Sequence, residues 1–212
     1  MKVAVTGSSG LIGSELVRSL HADGHQVLRL VRRTPRTADE HRWEPVHHRI
    51  PPGLLDDVDA VVNLAGVGVG DRRWTEKRKQ QVLGSRVDST ATVSQALADA
   101  DARAPGRRRV LLSASAVGWY GDTGDRVVDE TAAAGDDFLA RVCVAWEAAT
   151  APASDAGIRV ATLRTGLVLA RGGLVGRLLP LFRAGLGASS GPDASTCRGS
   201  TCATRSTRSA SC

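Results

Sequence analysis

Lys2-Val3-Ala4-Val5-Thr6 runs straight into Gly7-Ser8-Ser9-Gly10-Leu11-Ile12-Gly13, and this stretch decides how the rest of the chain is read. A short run rich in β-branched residues stops at a glycine. Leu11, Ile12, Leu16, Val17 and Leu20 then recur at helical spacing, with Gly24 as the stop. The three glycines therefore lie between a strand and a helix. Gly7 permits the tight turn, Gly10 lets the backbone approach an anion, and Gly13 lets helix pack close on strand. The first helical turn adds free N–H groups and the positive end of the helix dipole. This context predicts a cradle for a dinucleotide pyrophosphate, with Gly7, Ser9, Gly10, Leu11, Ile12 and Gly13 as its binding residues.

Outward from this unit, Val27, Leu28, Leu30 and Val31 predict a second strand, closed by Arg32-Arg33. Thr34 to Pro52 is polar and reads as loop, with a short third strand between Trp43 and Arg49. Asp59 to Ala65 reads as a fourth strand ending at Gly66, and a long helix is expected from Thr75 to Ala100. Val110 to Ala114, Phe138 to Ser154 and Arg159 to Leu163 read as strand, helix and strand. Strands that alternate with helices specify an α/β fold with a doubly wound parallel sheet, because every parallel pair needs a crossover.

The end of the second strand selects the cofactor. An acid there would bind ribose hydroxyls, whereas arginine holds a 2′-phosphate through charged, bidentate hydrogen bonds. Arg32 and Arg33 occupy it, and no acid follows until Asp39. The expected cofactor is NADP.

Composition bounds the alternatives. The chain has 212 residues, 42% of them hydrophobic and only 3% aromatic, enough for one α/β domain with an aliphatic core. Its net charge of +6 is scattered, without aromatic interleaving, and reads as a solvated surface with no nucleic-acid partner. No apolar run is long enough for a membrane span and no signal-type segment opens the chain, so a cytoplasmic location is expected. Cys143, Cys197, Cys202 and Cys212 lack zinc or disulfide spacing, and His47-His48 has no accompanying ligands, so no metal is expected. Trp43, Trp74, Trp119 and Trp146 read as packing residues.

TGSSGLIG, DAVVNLAG, RRWTEKRKQQVLGSRVDST, LLSASAVGWYGD and VATLRTGLVLARGG together resemble the extended short-chain dehydrogenase/reductases. The likeness is greatest to their atypical epimerase-family branch, labelled nucleoside-diphosphate-sugar epimerase-like, and it covers residues 1–187. The resemblance implies further cofactor contacts at Leu64 and Ala65 on the adenosine and ribose side, at Arg86 in the GSR triplet, and at Val168 toward the nicotinamide. Read as residues alone, Leu64 and Val168 also suit core positions, and Arg86 is equally a solvated one.

The wider superfamily works with a serine after the fifth strand and a Tyr-x-x-x-Lys helix. Ser113 and Ser115 stand at that strand end, but Leu139 and Cys143 occupy the places of the tyrosine and lysine. Ser115 and Tyr120 are the remaining catalytic candidates, and Ser115 is equally a strand-end hydrogen-bonding residue. Two functions stay open: an NADP(H)-dependent oxidoreductase or epimerase-like enzyme on a small or nucleotide-linked substrate, and a non-catalytic NADP(H)-binding redox sensor or docking protein.

At Ala188 the composition changes to Ser, Thr, Arg and Cys without apolar periodicity. Codons exist for 188–212 that, read from the third base of the Ala188 codon, give LVGSGRQYMSWIYLRDEVHAIREL. That string resembles the glycine-rich turn, aromatic strand and acidic helix with which relatives continue. The expectation is a domain over 1–187 carrying the start of a substrate-side region. An out-of-frame, disordered tail over 188–212 would replace the rest, leaving apolar surface exposed around Leu178, Leu179, Leu181 and Phe182.

Overall fold

A computed structural model describes residues 1–70 and 72–169, together with 176, 179–180 and 199–201. Six strands form one parallel sheet in the order β3-β2-β1-β4-β5-β6. They are β1 (Lys2–Thr6), β2 (Gln26–Val31), β3 (Glu40–Arg42), β4 (Ala60–Asn63), β5 (Val110–Ala116) and β6 (Arg159–Thr165). The order reverses between β1 and β4, which opens a crevice at their carboxyl ends where ligands bind in such sheets. This is the doubly wound arrangement that the sequence predicts.

Helices cover both faces. Val3 and Val5 point to the face covered by α1 (Leu11–Ala22) and pack with Val17, Val27 and Val62. Ala4, Leu28, Leu30, Val61 and Leu111 point to the opposite face, where they meet Val93, Leu97 and Ala100 of α2 (Glu76–Arg103). The two-residue period of the strands thus builds both cores from one short run. The α2 helix also packs against α3 (Phe138–Ala148) and the short α4 (Ala151–Asp155). Thr75 caps α2 by accepting the Arg78 N–H at 3.2 Å, and Asp137 caps α3 by accepting the Ala140 N–H at 2.8 Å.

Several boundaries differ from expectation. The third strand is Glu40–Arg42, not within 43–49. Trp43 is buried behind it, and Pro45–His47 form a 3₁₀ turn, because Pro45 withholds the N–H a strand would need. His48 follows at φ +50° and its ring Nδ1 lies 3.2 Å from Thr92 Oγ1. The helix expected over 138–154 breaks at Ala149-Thr150, just before Pro152. Trp146 is buried, but Trp74 is 44% exposed and packs edge-on against Phe138.

Beyond β6, Leu167–Leu169 (β7) pair in parallel with Gly199–Thr201 (β8). The remainder of 188–212 lies outside the described residues, as do Leu178, Leu181 and Phe182, while Leu179 is 39% exposed. No helix among the described residues is long and apolar enough to cross a membrane.

Candidate functional site

Both ends of the glycine loop are built without room for a side chain. Gly7 has φ +64°, and a Cβ there would stand 2.7 Å from the Leu64 carbonyl oxygen. At Gly13 a Cβ would stand 2.2 Å from the Gly7 carbonyl oxygen, so helix and loop meet backbone to backbone. Gly10 is the N-cap of α1 and provides no side-chain cap, which leaves the first-turn N–H groups facing the crevice. Ser8, which the sequence reading passed over in favour of its exposed neighbour Ser9, is 3% exposed, and its Oγ has no protein partner. A buried hydroxyl without a partner inside a ring of close backbone is the donor set that suits a pyrophosphate. The glycine spacing pointed to this loop, but only burial distinguishes Ser8 from Ser9.

The β1–β4 crevice is fixed by a buried polar chain. Thr6 Oγ1 donates to Asn63 Oδ1 at 2.7 Å, and Asn63 Nδ2 donates to Thr90 Oγ1 at 2.7 Å. The same Thr6 oxygen accepts the N–H groups of Leu64 at 3.0 Å and Ala65 at 3.1 Å. Leu64 and Ala65, both half-buried, are thereby held against the glycine loop.

At the end of β2 the two arginines part company. Arg33 grips Glu40 with both η nitrogens, at 2.7 and 2.6 Å, and the Arg36 N–H adds a third bond at 2.8 Å. Arg29 Nη2 lies 3.2 Å from the same carboxylate. The Arg33 hydrogen bonds, with the Arg36 N–H next, hold the Glu40 carboxyl down at about 2. Arg32 is exposed, with no hydrogen bond or ion pair among the described residues. Glu40 is thus neutralised by its neighbours, and one guanidinium remains free beside the crevice.

Arg86 projects from α2 across the crevice. Its Nη1 donates to the carbonyls of Val67 and Val82, each at 3.0 Å, and its guanidinium sits 5.0 Å over the Trp146 ring. Burial pushes its pKa down, and no carboxylate pairs with it among the described residues. Val168 lies on β7, half-buried, beyond the end of β6.

The β5–β6 end carries a different constellation. Ser115, 2% exposed, donates through Oγ to Glu147 Oε1 at 2.6 Å. Arg164 binds Glu147 with Nε and Nη2 at 2.9 and 3.0 Å, and donates through Nη1 to the Tyr120 hydroxyl oxygen at 3.1 Å. The Arg164 guanidinium stacks 3.8 Å from the Trp119 ring centre, and the Glu147 hydrogen bonds raise its pKa. The structure thus joins both catalytic candidates through Glu147 and Arg164, neither of which the sequence reading selected. Their separation of 17 residues on a helix and a strand gives no local signal. Cys143 is buried, donates to the Ala116 carbonyl at 3.7 Å, and has its thiol pKa pushed up by burial, away from a thiolate nucleophile. No group of three or more metal-ligating side chains occurs among the described residues. A shallow depression lined by Lys2, Gln26, Asp59 and Arg107 lies at the opposite, amino end of the strands.

The chain is similar to known proteins over most of its length. An epimerase family protein of Mycobacterium bovis is 51% identical over 187 residues, covering 88% of this chain and 60% of its own. A crystal structure of the nucleoside-diphosphate sugar epimerase from Corynebacterium glutamicum superposes with a TM-score of 0.82 at 39% identity, covering 96% of this chain and 41% of that one. The human epimerase family protein SDR39U1 (isoform 2), crystallised with NADPH, gives 0.72 at 35% identity, covering 89% of this chain and 61% of its own. The chain therefore spans about 60% of the length of the mycobacterial relative. The model of the NAD dependent epimerase/dehydratase family matches residues 3–190, and the chain belongs to that family.

Proposed function

We propose that this chain is the NADP(H)-binding part of an oxidoreductase or epimerase-like enzyme acting on a small or nucleotide-linked substrate. The observation that carries the cofactor choice is the free guanidinium of Arg32, beside a Glu40 carboxylate already saturated by Arg33, Arg29 and the Arg36 N–H. A 2′-phosphate would find a donor there and no unpaired acid. Gly7, Ser8, Ser9, Gly10 and the first-turn N–H groups of Leu11 and Ile12 would take the pyrophosphate, with Gly13 leaving the space. Leu64 and Ala65 would line the adenosine and ribose side, and Val168 the nicotinamide end. When bound, the cofactor supplies hydride transfer. The human relative crystallised with NADPH supports this reading.

Titration calorimetry with NADPH and NADH tests it. The parent protein is expected to prefer NADPH, and Arg32→Ala to lower that affinity by roughly ten- to a hundredfold, the worth of a charged hydrogen-bond set. Equal affinities in the parent would refute the assignment. Arg33→Ala is expected to act mainly on stability, through Glu40.

A second reading, a non-catalytic NADP(H) sensor or docking protein, is favoured by one specific observation. The positions of the usual tyrosine and lysine hold Leu139 and Cys143, and the Ser115 hydroxyl is already spent on Glu147. Cofactor turnover in a substrate screen separates the two, with Ser115 and Tyr120 as the proton-handling candidates of the enzymatic reading.

A further inference from the structure

The segment 64–70 leaves β4, crosses the crevice and has no regular secondary structure, yet seven of its backbone polar groups take side-chain partners. Side chains take them one after another. Thr6 Oγ1 accepts from the Leu64 and Ala65 N–H groups. Ser89 Oγ donates to the Ala65 carbonyl at 3.3 Å, and Ser85 Oγ accepts the Val67 N–H at 3.2 Å. Arg86 Nη1 donates to the Val67 carbonyl at 3.0 Å, Arg78 Nη2 to the Gly68 carbonyl at 2.5 Å, and Trp74 Nε1 to the Val69 carbonyl at 2.9 Å. Apart from Thr6, every one of these side chains comes from Trp74 and α2, within the stretch RRWTEKRKQQVLGSRVDST.

We infer that this stretch is a clamp, and that Arg86 is its central positioning residue, holding loop 64–70 ready for the cofactor before it arrives. A chain segment without helix or sheet must find partners for each backbone group or remain hydrated and mobile. Arg86 bridges the Val67 carbonyl of the loop and the Val82 carbonyl of its own helix with one nitrogen. Its stem and guanidinium lie against Gly66, where a Cβ would come within 3.3 Å of Cζ. The Trp146 face closes the other side. A guanidinium suits this post because it keeps its charge and its fixed fork when partly desolvated, whereas an ammonium would be costlier to bury. Ordering the loop in advance removes that entropy cost from cofactor binding. Arg86 thus acts on the cofactor through backbone, whether or not it also touches it.

The link to the cofactor rests on the proposed function; the clamp itself does not, and the experiment separates them. Hydrogen exchange is followed by mass spectrometry on peptides covering 64–70 in the cofactor-free chain, for the parent, Arg86→Met, Arg86→Lys and Ser89→Ala. NADPH affinity is measured on the same samples, with β1 and β5 peptides as the control for global folding. Arg86→Met is expected to speed exchange of the 64–70 peptide by on the order of tenfold or more, leave β1 and β5 protected, and weaken NADPH binding by a similar factor. Arg86→Lys should fall between it and the parent. Weakened NADPH binding with unchanged loop exchange would make Arg86 a direct ligand only and overturn the inference. Faster exchange with unchanged NADPH affinity would overturn the link between clamp and cofactor. Should Arg86→Met lose protection everywhere, Ser89→Ala, which frees the Ala65 carbonyl of the loop and otherwise loses only a bond to the Arg86 carbonyl within α2, decides by the same criteria. A parent that binds neither NADPH nor NADH would defeat the proposed function, while loop exchange would still decide whether the clamp exists.

Discussion

The two halves of the sheet treat their polar groups in opposite ways. Around β1, α1 and β2, groups are left over: Ser8 Oγ is buried without a partner, Arg32 stands free, and the N-terminus of α1 has no side-chain cap. Around β5, α3 and β6, the carboxylate, guanidinium and hydroxyl groups consume one another, as Ser115, Glu147, Arg164 and Tyr120 form one connected network. Among the described residues, only the indole N–H groups of Trp119 and Trp146 are buried there without a partner. Unsatisfied donors converging on a crevice are what a ligand site requires, while a closed network is what a stable junction requires. On that basis the proposed cofactor site falls in the first half, whereas the Glu147–Arg164 network joins α3 to β6 beside the β5 strand.

If that contrast is right, breaking the closed network should cost stability and not cofactor affinity. Glu147→Ala leaves Arg164, whose side chain is 16% exposed, without its carboxylate and frees the Ser115 hydroxyl. Removing one partner of a largely buried pair costs about 3–4 kcal/mol. Chemical denaturation should show a loss of this size with NADPH affinity within about twofold of the parent. A large loss of NADPH affinity in a still-folded variant would place the network in the cofactor site.

The opposite signature is expected at Gly13. A methyl at Gly13→Ala would meet the Gly7 carbonyl oxygen at 2.2 Å, and neither backbone can yield without moving the loop. The expected destabilisation is about 2–3 kcal/mol, and NADPH binding should fall below detection, since the displaced loop is the cradle proposed for the pyrophosphate. Retained binding would mean that the cradle tolerates displacement and that the glycine spacing is only a packing device.

How much of this was legible in the sequence follows the same division. TGSSGLIG between an apolar run and a helical period encodes its geometry locally, so strand, loop, helix and the Arg32-Arg33 end were readable in order. Alternation and crossover rules give a doubly wound parallel sheet but not the order of its strands, which helix packing on the two faces sets. The third strand was misplaced because a three-residue edge strand has too few side chains to show a period, and Pro45 alone marks where it cannot be. The division of labour between Arg32 and Arg33 depends on Glu40 folding back, and the Glu147–Arg164 pair on α3 docking beside β6. Both are tertiary facts that spacing does not record. Ser8 differs from Ser9 only by which way the loop turns.

Acid should also distinguish the edges of the first half. The Glu40 carboxyl is held at about 2 by Arg33 and the Arg36 N–H, below the ordinary value of 4.5. Because the folded pKa is depressed, the unfolded chain takes up the proton first as pH falls. The stabilisation is therefore complete above about 4.5 and is lost progressively toward about 2. Thermal unfolding of the parent from pH 6 down to pH 2.5 should show a steeper decline than Glu40→Gln over that window, although both contain the other paired carboxylates. Parallel curves would mean that Arg33 is not committed to Glu40 in solution, leaving two free arginines beside the crevice instead of one.

The smallest expected effect is at Ser115, and it bears most directly on whether the closed half also does chemistry. Its hydroxyl donates to Glu147 at 2.6 Å, and Glu147 keeps both Arg164 bonds when that hydroxyl is gone. Ser115→Ala should therefore cost only about 1 kcal/mol, a shift of a few degrees in Tm, with NADPH affinity unchanged. A hydroxyl donating to a carboxylate cannot at the same time donate to a substrate carbonyl, so a purely structural Ser115 leaves any turnover scaled only by the fraction folded. If a substrate is found and Ser115→Ala lowers kcat well beyond that fraction, the hydroxyl must swing from Glu147 to the substrate during the reaction. The network would then be an active-site device held closed in the resting protein. Unchanged kcat would leave Tyr120, whose oxygen accepts from Arg164 and whose own proton stays available to donate, as the proton-handling group at this end of the sheet.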